Sequence, residues 1–156
     1  MALQIGDKLP NFSAKDKDGI IFESQSVVGI KPVVFYFYPK DNTPGCTAQA
    51  CSFRDQYEDF KDLGAEVIGI SSDTTVSHEK FSKKHRLPFR LLSDENQKIR
   101  KLFGVKSNLF GLIPGRVTYV VDSKGIIRLV FDSLVATNHI PKALKMVEKI
   151  VAEIKK

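Results

Sequence analysis

The chain has no tryptophan and only two cysteines, Cys46 and Cys51, among its 156 residues. Two cysteines cannot make the disulfide framework that staples small secreted folds, and a chain of this length can bury a core without one. Long hydrophobic runs are missing as well. The longest, Val33 to Tyr38, is one strand in length and far short of the roughly 20 residues of a membrane helix. Histidine is scarce: His78, His85 and His139 are widely dispersed and, with two cysteines, do not give the four-ligand spacing of structural zinc. Nothing at the start, Met1-Ala-Leu-Gln-Ile-Gly-Asp-Lys, has a charged-then-apolar signal layout, so the cytosol is the default expectation. A plastid would fit instead if a transit peptide had been removed.

The formal charge of +6 raises the question of nucleic acid. Its basic residues are scattered, apart from Lys80, Lys83, Lys84, His85 and Arg86, which read as a solvated helix face. Neither a nucleic-acid nor a membrane partner is expected.

What is present reads as alternating strands and helices. Phe12-Ser-Ala-Lys and Ile20-Ile-Phe22 flank a turn at Asp16 to Gly19, predicting an N-terminal hairpin. Val33 to Tyr38 is β-branched and aromatic throughout, as a central strand covered on both faces would be. Phe53, Tyr57 and Phe60 fall at helical spacing before a stop at Leu63-Gly64. Val67 to Ser71 predicts a second buried strand, and Thr75 to His85 a polar helix anchored by Val76 and Phe81. Leu91-Leu92 is a short strand candidate, followed by a helix carrying Ile99, Leu102 and Phe103. Val117 to Val121 and Ile126 to Phe131 form a hairpin around Asp122 to Gly125, and a stripe at Ile140, Leu144, Val147, Val151 and Ile154 predicts a closing helix. The order is α/β: a central mixed sheet with helices on both faces, in one domain over residues 1–156.

The chemistry lies in Pro39-Lys-Asp-Asn-Thr43-Pro-Gly45-Cys46-Thr-Ala-Gln49-Ala-Cys51. Thr43 offers an N-cap hydroxyl, and Pro44 suits the first helical position. Gly45 lets a ligand approach bare backbone. Cys46 then sits in the first turn, where unpaired N–H groups and the helix dipole stabilise negative charge and bias a thiol toward its reactive thiolate. Residues five apart in a helix differ by about 7.5 Å of rise and about 140° of rotation, so their Cα atoms are about 8–9 Å apart. A disulfide needs about 4.4–6.8 Å, so joining two helical cysteines here requires local unwinding. A metal site, a static disulfide, or an inert packing role for Cys51 remain as alternatives.

These residues resemble the peroxiredoxin active-site pattern P-x-x-x-T-x-x-C, here Pro39, Thr43 and Cys46. With Cys51 five positions on, the chain is similar to the peroxiredoxin Q branch, also called bacterioferritin comigratory proteins. The resemblance runs from Gly6-Asp-Lys-Leu-Pro10 to the closing helix. It implies a thioredoxin-like fold, and Cys46 as the peroxidatic cysteine, oxidised by a hydroperoxide to a sulfenic acid. Cys51 is then implied as the resolving cysteine of an atypical two-cysteine enzyme, forming an intramolecular disulfide that a thioredoxin-like reductant opens. Arg116, in Gly115-Arg-Val-Thr-Tyr, matches the family's distant arginine. Thr43 would hydrogen-bond peroxide or thiolate, Pro39 would shield the pocket, and Gln49 would support the arginine. No metal, haem or flavin is implied, and a monomer is expected. The rival expectations are a redox sensor that oxidises once and does not cycle, and a nucleic-acid binder that rests on charge alone.

Overall fold

The computed structural model describes residues 2–105, 116–133 and 135–154. Strands β1 (Ser13–Lys15) and β2 (Ile21–Glu23) pair antiparallel as the expected hairpin. The Asp16 carboxylate closes their turn by accepting hydrogen bonds from the amides of Asp18 and Ile20 at 2.9 and 3.0 Å. Five further strands form the main sheet: β3 (Val33–Phe37), β4 (Glu66–Ser71), β5 (Arg90–Ser93), β6 (Val117–Val121) and β7 (Ile127–Asp132), in the order β5-β4-β3-β6-β7. Pairing is parallel from β3 to β5 through β4, and antiparallel from β3 through β6 to β7. This is the mixed sheet expected above, with the Val33 run at its centre.

Every residue of β3 is buried, because its two faces feed two cores. Val34, Tyr36 and Tyr38 point to one side, against helices α1 (Pro44–Asp55), α2 (Tyr57–Asp62) and α5 (His139–Ile154). Val33, Phe35 and Phe37 point to the other, against Phe12 and Phe22 of the hairpin region and Phe103 of α4 (Lys98–Phe103). Such alternation is what the two-residue period of a strand imposes. Tyr36 lies flat on Phe53 of α1, ring centroids 4.6 Å apart. Only glycine fits beneath it at position 69, where a Cβ would lie 2.8 Å from the phenol.

Three local expectations change. Helix α3 (Thr75–His85) is anchored by Phe81 and His78, both fully buried, whereas Val76 is 59% exposed. Five positions separate Val76 from Phe81, about 140° around the helix, while His78 shares its face. Leu102 and Ile154, at the edges of their helical stripes, are also exposed. The Phe53–Phe60 segment is two helices, because Gln56 leaves helical geometry at φ −106°, ψ 9°. The basic residues Lys80, Lys83, Lys84 and Arg86 are exposed on or just after α3, as a solvated face requires.

Candidate active site

Helix α1 begins where the sequence predicts, with Thr43 as N-cap and Pro44 in the first helical position. The first intrahelical bond runs from Thr47 N to Thr43 O at 2.8 Å. The amides of Gly45 and Cys46 precede it, so they are among the donors that a helix cannot satisfy internally. Thr43 departs from expectation in one respect. Its hydroxyl makes no cap hydrogen bond and instead donates to Lys40 O at 2.9 Å. The cause lies in the turn: Asn42 adopts the left-handed region at φ 63°, which folds Lys40 back toward Thr43. Pro39 is half-buried directly after Tyr38, on the same loop.

Arg116 reaches this helix start from the beginning of β6. Its Nη2 donates to Cys46 Sγ at 3.3 Å, and Nη1 donates to Gln49 Oε1. Cys46 is 1% and Arg116 6% exposed, so guanidinium and sulfur face each other away from bulk water. Charge interactions are much stronger there than at a surface, so the guanidinium acts on the sulfur at close quarters. Gly45 makes the approach possible: a Cβ there would stand 3.1 Å from Arg116 Nη2. Arg116 Nε and Gln49 Nε2 have no hydrogen-bond partner among the described residues. The site therefore holds spare buried donors beside the thiol.

Cys46 and Cys51 are both free and both lie in α1, with Cys51 half-buried. In an intact helix their Cα atoms are about 8–9 Å apart, beyond disulfide reach. Of the residues expected at the site, the structure brings together Cys46, Gly45, Gln49 and Arg116. Thr43 and Pro39 occupy the preceding loop, and Gly115 lies outside the described residues.

Two buried histidines back this cluster, and sequence reading had set both aside. His139 Nδ1 lies 2.7 Å from Thr118 Oγ1, and its Nε2 donates to Ser133 O at 2.7 Å. Ser133 N in turn donates to Arg116 O. Burial lowers the His139 pKa below its ordinary value, the Ser133 carbonyl opposes this, and the charge of Arg116 adds to the lowering. On the other side, His78 Nδ1 lies 2.7 Å from Asp41 Oδ2, in the loop before Cys46. Tyr38 donates to Asp41 Oδ1 at 2.6 Å, and burial followed by the Asp41 charge pushes that phenol's pKa well up, so it stays a donor. Ligand atoms of Asp41, Asp73 and His78 fall within 4.8 Å of one another, but Asp41 and Asp73 already accept protein hydrogen bonds. No periodic pattern marks these partners, and the only local hint is a polar His78 three residues before the apolar Phe81.

The pattern of the AhpC/TSA family matches residues 5–130. The chain is 53% identical over 146 residues to a protein named peroxiredoxin Q, chloroplastic, of Triticum aestivum, across 93% of this chain and 67% of that protein. A like-named protein of Sedum lineare is 51% identical, with 78% of its length covered. Among solved structures, peroxidoxin BcpB of Mycobacterium tuberculosis superimposes with a TM-score of 0.87 at 34% identity, covering 95% of this chain and 98% of that one. A bacterioferritin comigratory protein of Xanthomonas campestris, studied for alkyl peroxide reduction, gives 0.84 at 25% identity over 93% and 99% of the two chains. The fold is thus the thioredoxin-like one expected. The plant relatives are named as chloroplastic, and nothing in the comparisons favours the cytosolic default expected above.

Proposed function

Since the chain belongs to the AhpC/TSA family, and within it to the peroxiredoxin Q proteins, a thiol-dependent peroxidase, we propose that Cys46 is its peroxidatic cysteine and Cys51 its resolving one. The observation that carries this reading is the Arg116 guanidinium held 3.3 Å from Cys46 Sγ at a helix start. In the first step the Cys46 thiolate attacks one peroxide oxygen and the O–O bond breaks. Sulfur becomes a sulfenic acid, and the other oxygen leaves with a proton as water or an alcohol. Arg116 and the spare donors of the site stabilise the charge moving from sulfur to the leaving oxygen. Thr43 joins them by turning its hydroxyl from Lys40 O toward the peroxide, and Pro39 limits water at the loop.

In the second step Cys51 attacks the sulfenic sulfur, a disulfide forms and water departs. The first turns of α1 must unwind for this, since an intact helix keeps the two Cα atoms too far apart. Unwinding also withdraws Gln49 from Arg116. A thioredoxin-like dithiol then reduces the disulfide by thiol exchange, and the helix re-forms. The substrates are hydrogen peroxide and organic hydroperoxides, and the working unit is a monomer.

The test is peroxide consumption by reduced wild type, Cys46→Ser and Cys51→Ser, each with and without a thioredoxin system, with sulfur states followed by mass spectrometry. Wild type should turn over and show the intramolecular disulfide, and Cys46→Ser should be inert. Cys51→Ser should complete the first step and then stall as a sulfenic acid. Full thioredoxin-dependent turnover by Cys51→Ser would remove its resolving role. Stoichiometric oxidation that never cycles would make the protein a sensor.

A further inference from the structure

The loop from Tyr38 to Thr43, which delivers the chain into α1, is held from behind by a buried polar network that the reaction itself does not use. His78 is its centre. The His78 side chain is fully buried and that of Asp41 is 1% exposed. His78 Nε2 faces Leu92 O, which can only accept, at 2.9 Å, so Nε2 carries a hydrogen. Nδ1 faces Asp41 Oδ2 at 2.7 Å, a close hydrogen-bond pairing of ring and carboxylate. Ser77 Oγ donates to the same Oδ2 at 2.9 Å, and Tyr38 to Oδ1. Three partners thus fix one carboxylate, the arrangement that holds a buried charge in place.

The backbone of the loop is tied to the same region. Asp41 N donates to Asp73 Oδ2 at 2.8 Å, and Ser71 Oγ donates to that oxygen at 2.6 Å. Arg100 Nη2 donates to Tyr38 O at 3.0 Å. The loop is therefore pinned to the end of β4, to α3 and to α4, and through His78 to β5, none of which carries a cysteine. Asn42, in its left-handed conformation, immediately follows the pinned residue, and Thr43 O accepts the first bond of α1. A shift at Asp41 would pass through two residues into the first turn of α1, which carries Cys46.

Resting on the peroxidase reading above, we propose that His78 is a positioning residue for the peroxide step: through Asp41 it fixes the start of α1, and with it the alignment of Cys46 against Arg116. It touches neither sulfur nor substrate. Its distinctive property is that the two ring nitrogens do separable work. Nδ1 holds the loop, whereas Nε2 ties α3 to β5.

Two substitutions separate these duties. Asparagine places its amide near the Nδ1 position and can still donate to Asp41. Glutamine reaches the Nε2 position and can still donate to Leu92 O. The measurement is the second-order rate of Cys46 oxidation by hydrogen peroxide in a single turnover, with circular dichroism and thermal unfolding on the same samples. The expected result is a loss of at least about tenfold in His78→Gln and a rate within about threefold of wild type in His78→Asn, with both variants folded at the assay temperature. Equal rates in the two variants, or wild-type rates in both, would overturn the proposal and leave His78 a packing residue. If neither variant folds, Asp41→Asn, which keeps the shape and removes the charge, takes their place. A wild-type rate there overturns the proposal, and a tenfold loss in the folded protein supports it. Failure of the peroxidase reading looks different, because wild type would then not oxidise at Cys46 at all.

Discussion

His78 and His139 are both fully buried, yet they are held in opposite ways. His78 projects from α3 against β5 with a carboxylate on one nitrogen and a carbonyl on the other. His139 stands under β6 and β7 with a hydroxyl on one nitrogen and a carbonyl on the other. The first region is a charge-assisted lock behind the loop before Cys46. The second is a neutral brace behind the strand that starts with Arg116. The same residue type thus supports the two sides of one site, and the partner of Nδ1 decides which kind of support it gives. A neutral ring needs one donor and one acceptor around it, which Thr118 and Ser133 supply, so His139 needs no extra proton.

The sharpest way to break the comparison is to remove each ring without replacing its polar atoms. In His78→Phe the buried Asp41 carboxylate loses one of its three side-chain partners, and removing one member of a buried pair costs about 3–5 kcal/mol. In His139→Phe a hydroxyl and a carbonyl lose theirs, at about 1–3 kcal/mol. Urea unfolding of the two variants should show that order, and a reversed order would remove the distinction between lock and brace. Cutting the object that the brace supports should affect chemistry at a comparable scale. Arg116→Met is expected to slow Cys46 oxidation by about 10²–10³-fold, the size of effect seen when one preorganised donor is lost from an active site. Stopped-flow mixing with peroxide measures it.

A pH series sharpens the comparison at smaller scale. The His139 pKa is lowered in the folded chain, by burial first and then by Arg116, from an unfolded value of about 6.5. Between those two values the unfolded chain binds the additional proton, so stability is fully present above about pH 6.5 and is lost as pH falls through the window. Thermal unfolding midpoints should therefore drop more steeply in wild type than in His139→Asn between pH 7.5 and pH 5. His85, lowered by burial and by its neighbours Lys84 and Arg54, titrates in both proteins and cancels in the difference. The smallest effect is expected from Gly45→Ala. Alanine favours a helix interior by about 0.5–1 kcal/mol, but its Cβ would press on Arg116 Nη2 at 3.1 Å. Slightly higher stability with a several-fold slower peroxide step is the expected pair of results.

Much of this was legible from the chain alone, for reasons that differ by element. The central strand was readable because a β-branched and aromatic run of that length has few other uses, and the helix start because Thr-Pro-Gly acts within three residues. Val76 was misjudged because an apolar residue in a polar helix looks like an anchor until its angle to Phe81 is counted. The Thr43 hydroxyl was misassigned because the left-handed Asn42 is invisible to composition. Arg116 was found only through resemblance, since a single arginine before a strand carries no local signal. Asp41 and His78 were not found at all, because their meaning depends on each other across 37 positions.

The sequence by itself determined the order of strands and helices, the place of Cys46 in a first helical turn, and the five-residue step to Cys51. Those are short-range properties, set by backbone preference, proline and glycine geometry, and the periods of strand and helix. Only the tertiary structure decided that Arg116 meets the sulfur, that Gly45 leaves room for it, and that two histidines brace the site from either side. Contacts of that kind are fixed by burial: once the sheet closes water out, most polar groups must find a partner, and the fold determines which one is within reach.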